Sequence, residues 1–594
     1  MKKGLVYLFS LIMSQVFDVK VFANEVNLIY ESNFRSLDPV KQYDAESTRA
    51  IVNIYDRLFE FSYFERPYKV RPLLLASLPV WDEETRTLRF KLKEKVYFHR
   101  NRAFKSLAER ELTADDVIFS IKRFANARVN RMSYHFLRSA IVGLDEFYEK
   151  SKVLLNGQEV YKTEVSGIKK IDRYGFTIEY AHKAKPNLEV FTFAGLSIVP
   201  KKLVLDHNHD LSQVPVGTGP FYFGSRAGSK TTLLANPDYH QTTNDFSFFG
   251  GKEEKSLPLS KKIHFNLQNG KTGIVRLVKN REVDIVPMRQ NLEKYVGYTV
   301  QQNILKLNDE IREFFEVKKS VQPAARIIKF NFKDPIFRNN IHLRRAIAYA
   351  FDRKSELELS EKKRGELLQS IVPPSINGSV EATLSEPWFE YSPTKAAQEL
   401  AAAGYPDGIG LDPIEIDIAG KTIDVYHSFQ VFKASLKRIG IKLKERFQSF
   451  PEYLDRVYES KYQLGSFFWT ADYPSAENFY SLFYSGNHNP GPNDSAYRNP
   501  EYDKHYMAVL GEVSESERLE HYRSMNRILK SDVAVIPGFS PIIYELVARH
   551  IDNYSSDLIG GGRLKFLARQ EQTQKGGYCT RSFSISYLLC SLGI

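Results

Sequence analysis

The chain contains very little cysteine. Among its 594 residues there are only two, Cys579 and Cys590, and both lie within the last sixteen positions. The pair could join in an oxidising compartment, but that bond could not hold the rest of the fold together. A disulfide-stapled scaffold is therefore excluded. A chain this long must rely on hydrophobic cores, and two or three domains are expected.

Long hydrophobic runs are also absent, apart from one short stretch at the N-terminus. Two lysines precede an apolar segment over residues 4–17, and Ala23 ends a sequence suited to cleavage. This pattern predicts a signal peptide over residues 1–23, since the segment is too short to span a bilayer as a stable helix. Retention as an anchor is the alternative. No cysteine follows the cleavage position, so we expect an exported periplasmic protein without a lipid anchor.

Acidic residues are outnumbered, and the formal net charge is +12. Removing residues 1–23 takes away three lysines and one aspartate, which leaves +10. Basic chains often bind nucleic acid. Here the lysines and arginines are spread along the whole chain, and an exported protein meets little nucleic acid. We therefore expect no nucleic-acid partner, and interpret the charge as a solvated surface or one that faces an anionic membrane.

Motifs for catalysis, phosphate binding and metal binding are missing as well. The chain has no G-x-S-x-G and no H-E-x-x-H sequence. Gly217-Thr218-Gly219-Pro220 lacks the lysine and spacing of a Walker motif, so it predicts a structural turn. A D-H-N-H-D cluster over residues 206–210 follows a predicted strand over 190–204, and without further ligands we interpret it as a solvated loop. The sequence predicts no enzyme activity, no metal and no cofactor.

Helix and strand signals, in contrast, are abundant. Thr113 to Asp116 has the form of a capping box and predicts a helix, and a second helix is expected from Ser392-Pro393 to Gly404. Residues 341–351 form an amphipathic pattern. Period-2 alternation over 87–92 and 174–178 indicates antiparallel strands.

Between residues 414 and 469 strands and helices alternate. Strands are predicted over 414–418, 441–444 and 462–469, and helices over 423–439 and 451–459. A βαβαβ order is typical of a parallel sheet that is covered on both faces. Together with the antiparallel segments it predicts an α/β fold with mixed α and β elements and more than one sheet.

The most informative segment of the chain is Gly465-Ser466-Phe467-Phe468-Trp469-Thr470-Ala471-Asp472-Tyr473-Pro474. An apolar run predicts a buried strand, and a carboxylate and a Tyr-Pro turn follow it directly. Ligands of open α/β sheets bind just beyond the carboxyl ends of the strands. Asp472 is therefore a candidate charge in a binding site, and its partner should be a cation.

Several motifs, in a fixed order, resemble the peptide-binding group of family-5 extracellular solute-binding proteins, which feed oligopeptide and dipeptide ABC transporters. The similar blocks, from about residue 25 to 560, are Tyr55-Asp56-Arg57-Leu58, Arg89 to Leu92, Val96 to His99, Leu112 to Val117, Val216 to Phe221, Glu282 to Ile285, Phe330 to Arg353 and Ala402 to Gly408. Each block is weak alone, but eight blocks in the family's order are a strong signal.

The resemblance implies two lobes joined by a hinge, with an extra subdomain on the first lobe, that close over a ligand. Carried over to this chain, residues 24–68, 190–325 and 541–572 form the first lobe. Residues 69–189 form the extra subdomain, 326–540 form the second lobe, and 573–594 are an atypical tail.

The resemblance also implies a binding site. The segment from Trp469 to Tyr473 matches the family's W-x-A-D-Y sequence, in which the aspartate receives the α-ammonium of a peptide. A buried carboxylate needs such a cation, since leaving it unpaired costs several kcal/mol. The candidate ligand-binding residues are Asp472, Trp469, Ala471, Tyr473, Glu46 and Ser47, with the last two on the first lobe.

One departure from the family's pattern leaves the ligand open. Some relatives carry an arginine three residues before the tryptophan, where this chain has Ser466, so specificity does not transfer. The expected function is a monomeric periplasmic protein that binds peptides and delivers them to an ABC permease in the inner membrane. The alternatives are a non-peptide ligand such as haem, a metal chelate or an oligosaccharide, a peptide-sensing receptor, and a hydrolase with a dispersed site.

Overall fold

The computed structural model describes residues 24–570 except 31, 43, 131–132, 154–157, 183–185, 207–209, 250–253, 269, 289–297, 302–303, 360–363, 380–387, 421–422, 489–490, 512–513 and 557–561. The predicted signal peptide, the atypical tail with both cysteines and the histidines of the D-H-N-H-D cluster lie outside the described residues. Within the described part, no helix is long and apolar enough to cross a membrane.

The described elements are numbered in chain order. The strands are β1 (Glu25–Tyr30), β2 (Phe59–Phe61), β3 (Val70–Pro72), β4 (Val80–Asp82), β5 (Thr87–Lys91), β6 (Ile168–Lys170), β7 (Gly175–Glu179), β8 (Phe221–Ala227), β9 (Lys230–Ala235), β10 (Lys262–Leu267), β11 (Ile285–Met288), β12 (Tyr298–Gln301), β13 (Ile304–Leu307), β14 (Phe315–Val321), β15 (Ala324–Phe330), β16 (Gly365–Leu367), β17 (Ile414–Ala419), β18 (Leu443–Gln448), β19 (Leu464–Thr470), β20 (Val535–Pro537), β21 (Phe539–Ala548), β22 (Ile551–Asp552) and β23 (Ala568–Arg569). The α-helices are α1 (Ala45–Ile54), α2 (Leu107–Arg110), α3 (Ala114–Phe124), α4 (Leu144–Val153), α5 (Lys201–Asp206), α6 (Lys271–Lys279), α7 (Asp309–Phe314), α8 (Pro335–Arg338), α9 (Ile341–Ala350), α10 (Arg353–Leu359), α11 (Pro393–Ala402), α12 (Ile423–Lys437), α13 (Phe450–Tyr458), α14 (Ala476–Tyr480), α15 (Pro500–Val509) and α16 (Glu515–Asp532).

An eight-stranded mixed sheet forms the centre of the first lobe. Its order is β14-β21-β11-β1-β10-β9-β8, and β16 pairs with β21. β1 pairs in parallel with β10 and β11. Val26, Leu28 and Ile29 on both faces of β1 are at most 3% exposed, because the central strand is covered on both sides. We call this sheet and its core lobe I.

A five-stranded sheet forms the centre of the second lobe, in the order β18-β17-β19-β15-β20. β17 pairs in parallel with β18 and β19, which confirms the predicted βαβαβ unit. β15 enters this sheet antiparallel to β19. We call this sheet and its core lobe II. The chain passes from lobe I to lobe II between β14 and β15. It comes back to the lobe I sheet at β16, which pairs with β21, and makes its last return to lobe I between β20 and β21.

A separate four-stranded antiparallel sheet, in the order β4-β5-β7-β6, is formed by residues 80–179. Phe90 and Phe176 stack on its inner face with ring centroids 4.7 Å apart. The predicted capping box is present at the start of α3, where the Thr113 backbone N–H and hydroxyl both donate to Asp116. We call this sheet with α3 the extra subdomain.

Two predicted strands differ in the structure. Residues 190–204 form 3-10 turns and the start of α5 instead of a strand, because an apolar run of this length does not distinguish a strand from buried helical turns. The predicted strand over 441–444 begins two residues later, as β18, where Leu443 first pairs with Ile414. The other predicted elements named above have their observed counterparts within a few residues.

The Gly217 to Pro220 segment is a turn that packs on the end of α1. A Cβ atom at Gly217 would lie 2.2 Å from the carbonyl oxygen of Ile54, and one at Gly219 would lie 2.6 Å from the carbonyl carbon of Ile54. The close backbone approach therefore requires glycine at these positions. The segment has a structural role, as the sequence predicted.

Candidate ligand-binding site

β19 carries the candidate site at its carboxyl end. Along its whole length it pairs with β15, from Leu464 opposite Phe330 to Thr470 opposite Ala324. Its first three residues are buried, but Phe468 is 43% exposed. The expectation of a fully buried strand is therefore wrong for its second half.

Beyond Ser466, β19 also has a strand partner on only one side. The parallel ladder with β17 joins Ile416 to Leu464 and ends at Ile418 opposite Ser466. From Phe467 onward, the described residues supply no neighbouring strand on the β17 side. Backbone N–H and C=O groups along an unpaired strand edge can accept another strand.

Asp472 lies just past this free edge and is only partly exposed. Burial raises the pKa of its carboxyl group to about 7, and the negative charge of Glu477 adds to the rise, against a hydrogen bond from Asn478. Within the described part of the chain, no lysine, arginine or histidine forms an ion pair with it. The carboxylate is thus partly desolvated and lacks a cation.

Asn478, which the sequence analysis missed, holds the site together. Its side-chain oxygen accepts hydrogen bonds from the Trp469 indole N–H (3.1 Å) and from the Asp472 backbone N–H (3.2 Å). Its amide nitrogen donates to the Asp472 carboxylate at 3.3 Å. Asn478 is fully buried and lies six residues after Asp472. No sequence motif marks this spacing, so only the fold reveals the role of the asparagine.

Tyr473 is buried and contacts the extra subdomain. Its hydroxyl donates to Glu477, which also accepts from Tyr506. Its ring meets Phe136 of the extra subdomain edge to face, with centroids 5.9 Å apart. Burial raises the pKa of Glu477, and when this acid is ionised its negative charge disfavours ionisation of Asp472.

The backbone N–H of Ala471 is already hydrogen-bonded within the protein. It donates to the carbonyl oxygen of Pro323 at 2.8 Å, on the β15 side of the strand. Main-chain hydrogen bonds to a ligand would therefore come from the free edge between Phe467 and Thr470 rather than from the Ala471 N–H.

Glu46 and Ser47 lie in the first turn of α1, on lobe I. The Ser47 hydroxyl is fully buried, donates to Asp44 at 2.8 Å and accepts from the backbone N–H of Arg35 at 3.0 Å. Burial raises the pKa of Glu46, whose carboxylate lies 3.5 Å from Arg49. No described contact joins these two residues to the Asp472 group.

A second buried acid, Glu189, lies on the subdomain side of the lobe boundary and contacts Ser475 of lobe II. Burial raises the pKa of Glu189 to about 7, against hydrogen bonds from Asn187 and Ser475. Nearby, the Asn377 side chain accepts from the backbone N–H of Tyr68 at 3.0 Å and donates to its carbonyl oxygen at 2.8 Å. A cavity of about 1030 Å³ beside these contacts is lined from both lobes. Direct contacts thus cross the lobe boundary close to Asp472.

A comparison with protein-family models gives one match, over residues 69–491, to bacterial extracellular solute-binding proteins, family 5. The matched region spans more than half of the chain. This chain belongs to that family.

The relatives of this family-5 solute-binding protein are named for different ligands. It is 23% identical to heme-binding protein A of Haemophilus influenzae over 84% of each chain. It is 22% identical to the dipeptide-binding protein of Escherichia coli, over 87% of this chain and 88% of that relative. The fold also matches the periplasmic binding protein DppA of Helicobacter pylori in complex with the peptide STSA, with a TM-score of 0.72, 22% identity, and coverage of 92% of this chain and 98% of that one. The two-lobe fold predicted from the sequence is confirmed.

Proposed function

We propose that the protein is the periplasmic peptide-binding component of an ABC importer and that Asp472 binds the α-ammonium group of the peptide. The observation that carries the proposal is the partly buried Asp472 carboxylate without a cation at the end of β19. Burial disfavours its charged form, and a peptide amine would restore the charge balance through a charge-assisted hydrogen bond. Dipeptide-binding relatives and a neighbour solved with a peptide support this ligand class.

The free edge of β19 supports the same ligand. A peptide placed beside Phe467 to Thr470 would continue the sheet where β17 stops pairing. Main-chain hydrogen bonds give affinity that depends little on side-chain identity. A carboxylate at one end of this edge would fix the direction of the bound chain, with its amino terminus at Asp472.

The remaining parts of the proposal follow from the family. The two lobes close over the peptide without chemistry, with no cofactor, and the monomer delivers it to a permease in the inner membrane. Residues 1–23 act as a signal peptide that is removed during export. The division into lobe I (24–68, 190–325 and 541–572), extra subdomain (69–189) and lobe II (326–540) is part of the proposal. Trp469 and Glu46 would line the cleft.

A thermal-shift experiment tests the proposal. Di-, tri-, tetra- and nonapeptides are each added to the purified mature protein beside N-acetylated twins, since a ligand that binds only the native state raises the melting temperature. We expect at least one free peptide to stabilise the protein while its acetylated twin does not. Equal stabilisation by both members of every pair would refute the role of Asp472.

Haem is a second candidate ligand, because one of the similar relatives is named a heme-binding protein. Titration of the purified protein with haemin, followed by its absorbance, decides between the two ligands. A saturable spectral change at one equivalent, together with no peptide response, would favour haem. Within the described residues, no group of three or more His, Cys, Asp and Glu side chains could hold a metal ion.

A further inference from the structure

A second cavity lies in lobe II, at the end of the sheet opposite to Asp472. β15 runs from Ala324, opposite Thr470, to Phe330, opposite Leu464, so the residues after Phe330 lie at the far end of the sheet from the ligand cleft. There a cavity of about 800 Å³ opens between the Phe332 loop, α8, α9, the loop that precedes α15, and the end of α16. Its volume suits a small organic molecule.

Four cationic side chains line this cavity: Lys333, Arg338, Arg344 and Arg498. Within the described part of the chain none of them forms an ion pair with a carboxylate. Lys333 donates to the Ser460 hydroxyl at 3.0 Å. Arg498 donates to Nδ1 of His488 at 3.2 Å. Lys333 and Arg498 are thus held by neutral groups, which supply no negative charge.

Arg344 forms the rigid floor of the cavity. It is 5% exposed, and its guanidinium donates to the carbonyl oxygens of Phe337 and Asp532. Burial lowers its pKa to about 10, which still leaves it protonated at neutral pH. A guanidinium fixed by backbone carbonyls loses little conformational freedom when it binds an anion.

The two acids of the cavity wall are already engaged. Asp494 is paired with the buried Lys329. Asp532 accepts hydrogen bonds from the Tyr497 hydroxyl at 2.5 Å and from Asn499 at 2.9 Å. The cavity lining thus has four cationic side chains and two acids. One of the acids, Asp494, is already neutralised by Lys329, so the cavity carries a net positive charge.

We propose that this cavity binds a phosphate-bearing anion, either a soluble phosphate ester or the headgroup of an anionic lipid. Arginine forks match the oxygens of phosphate bidentately, and a phosphate monoester carries a charge of about −1.5 to −2. The volume exceeds that of inorganic phosphate and accommodates an organic group attached to it. Since the cavity is remote from Asp472, this site is separate from the proposed peptide cleft.

Calorimetric titration with glycerol 3-phosphate at fixed ionic strength tests the soluble arm. Arg338 and Arg498 are exposed, so R338Q combined with R498Q removes two cavity charges without disturbing the core. The matched control is R523Q combined with R527Q on α16, which removes the same charge outside the cavity. We expect the cavity variant to bind at least tenfold more weakly than the wild type, and the control to bind within twofold of it.

Sedimentation with phosphatidylglycerol vesicles, and with phosphatidylcholine vesicles as the control lipid, tests the headgroup arm with the same proteins. Binding to the anionic vesicles that the cavity variant loses and the control variant keeps would identify a lipid ligand. The proposal is overturned if the wild type binds neither probe saturably, or if both double variants behave alike. It is also overturned if Asp472→Asn changes anion binding as much as the cavity variant does, in either direction, because the anion would then occupy the cleft.

Discussion

At the residue scale, the account depends on the balance of charge around one carboxylate. Asp472 is partly buried, its strongest described partner is the neutral Asn478 amide at 3.3 Å, and the nearby Glu477 is another acid. Such a group destabilises the empty protein when ionised and gains most from a cationic ligand. Sequence reasoning found the aspartate because it follows an apolar strand. It could not find Asn478, whose contacts depend on how α14 packs against the strand.

Asp472→Asn is expected to weaken binding of a free peptide by roughly 2–5 kcal/mol, since it removes the charged partner of a hydrogen-bonded pair. The same change should stabilise the empty protein at pH 8, because it removes an uncompensated buried charge. Calorimetry measures the first effect and thermal unfolding the second. Tighter peptide binding by the variant would contradict the assignment.

Peptide affinity is expected to depend on pH through the same group. The pKa of Asp472 in the empty protein is raised to about 7, so below pH 7 the carboxylate must lose a proton before it can pair with the ammonium. The α-amino group of the peptide has a pKa of about 7.7–8.0, so affinity should fall above about pH 8 as the ammonium loses its proton. Below pH 7 affinity should fall by up to tenfold per pH unit, because the Asp472 carboxylate is protonated there. In Asp472→Asn this dependence should disappear, even though Glu189 still titrates near 7. An unchanged pH profile in the variant would assign it to Glu189 instead.

The stability of the empty protein should depend on pH in the opposite direction to peptide affinity below pH 7. A carboxyl group whose pKa is higher in the folded than in the unfolded state binds its proton more tightly when folded. Its contribution to the free energy of unfolding is therefore fully present below the unfolded value near 3.9 and is lost as pH rises to about 7. This loss should be smaller in the peptide-bound protein, because the ammonium stabilises the ionised form.

Asn478→Ala is expected to weaken peptide binding less than Asp472→Asn, because the charge remains while its orientation is lost. The Trp469 indole N–H and the Asp472 backbone N–H would also lose their common acceptor, at a cost to stability of about 1–3 kcal/mol. Paired calorimetry and thermal unfolding separate the two effects. If affinity is unchanged while stability falls, Asn478 supports the fold and does not position the carboxylate.

At the scale of the elements, one buried ion pair fastens the extra subdomain to lobe I. Arg123 near the end of α3 donates to both carboxylate oxygens of Asp38, at 2.7 and 2.6 Å, and the side chains are 7% and 1% exposed. Arg123→Gln leaves a buried carboxylate without its cation, and should lower the free energy of unfolding by about 3–5 kcal/mol. Chemical denaturation measures this loss. Arg128→Gln, at an exposed arginine beyond the same helix, should change it by less than 1 kcal/mol.

The elements also show what the sequence could and could not predict. The caps at Thr113 and Ser392 predict the helices that follow because side-chain bonds to the first turn are local. β19 was predicted, but the one-sided pairing of its second half was not, since that pairing depends on where β17 stops. The prediction of a strand over residues 190–204 was wrong because the apolar residues of this segment are buried between the subdomain and lobe I in helical turns. Burial on every side removes the periodicity on which sequence reasoning depends.

At the scale of the whole molecule, the contacts across the lobe boundary describe how closure could follow binding. Tyr473 meets Phe136, Tyr68 is bonded to Asn377 and Glu189 is bonded to Ser475. These contacts lie beside the end of β19 where the peptide is proposed to bind. A ligand there that touches both lobes would favour the closed arrangement over the open one.

Small-angle X-ray scattering tests closure directly. A stabilising free peptide is expected to reduce the radius of gyration of the wild type, and the acetylated twin is expected to leave it unchanged. Asn377→Ala should bind the same peptide more weakly, because it removes two hydrogen bonds that this structure makes across the lobe boundary. A radius that stays constant at saturating peptide would contradict the closure mechanism.

The most direct measurement is an experimental structure of the protein with a bound peptide. The account predicts that the α-ammonium nitrogen lies within hydrogen-bond distance of the Asp472 carboxylate, with the peptide backbone beside Phe467 to Thr470. A structure in which a lysine or arginine of the protein neutralises Asp472, or in which the peptide amino terminus lies elsewhere, would contradict it.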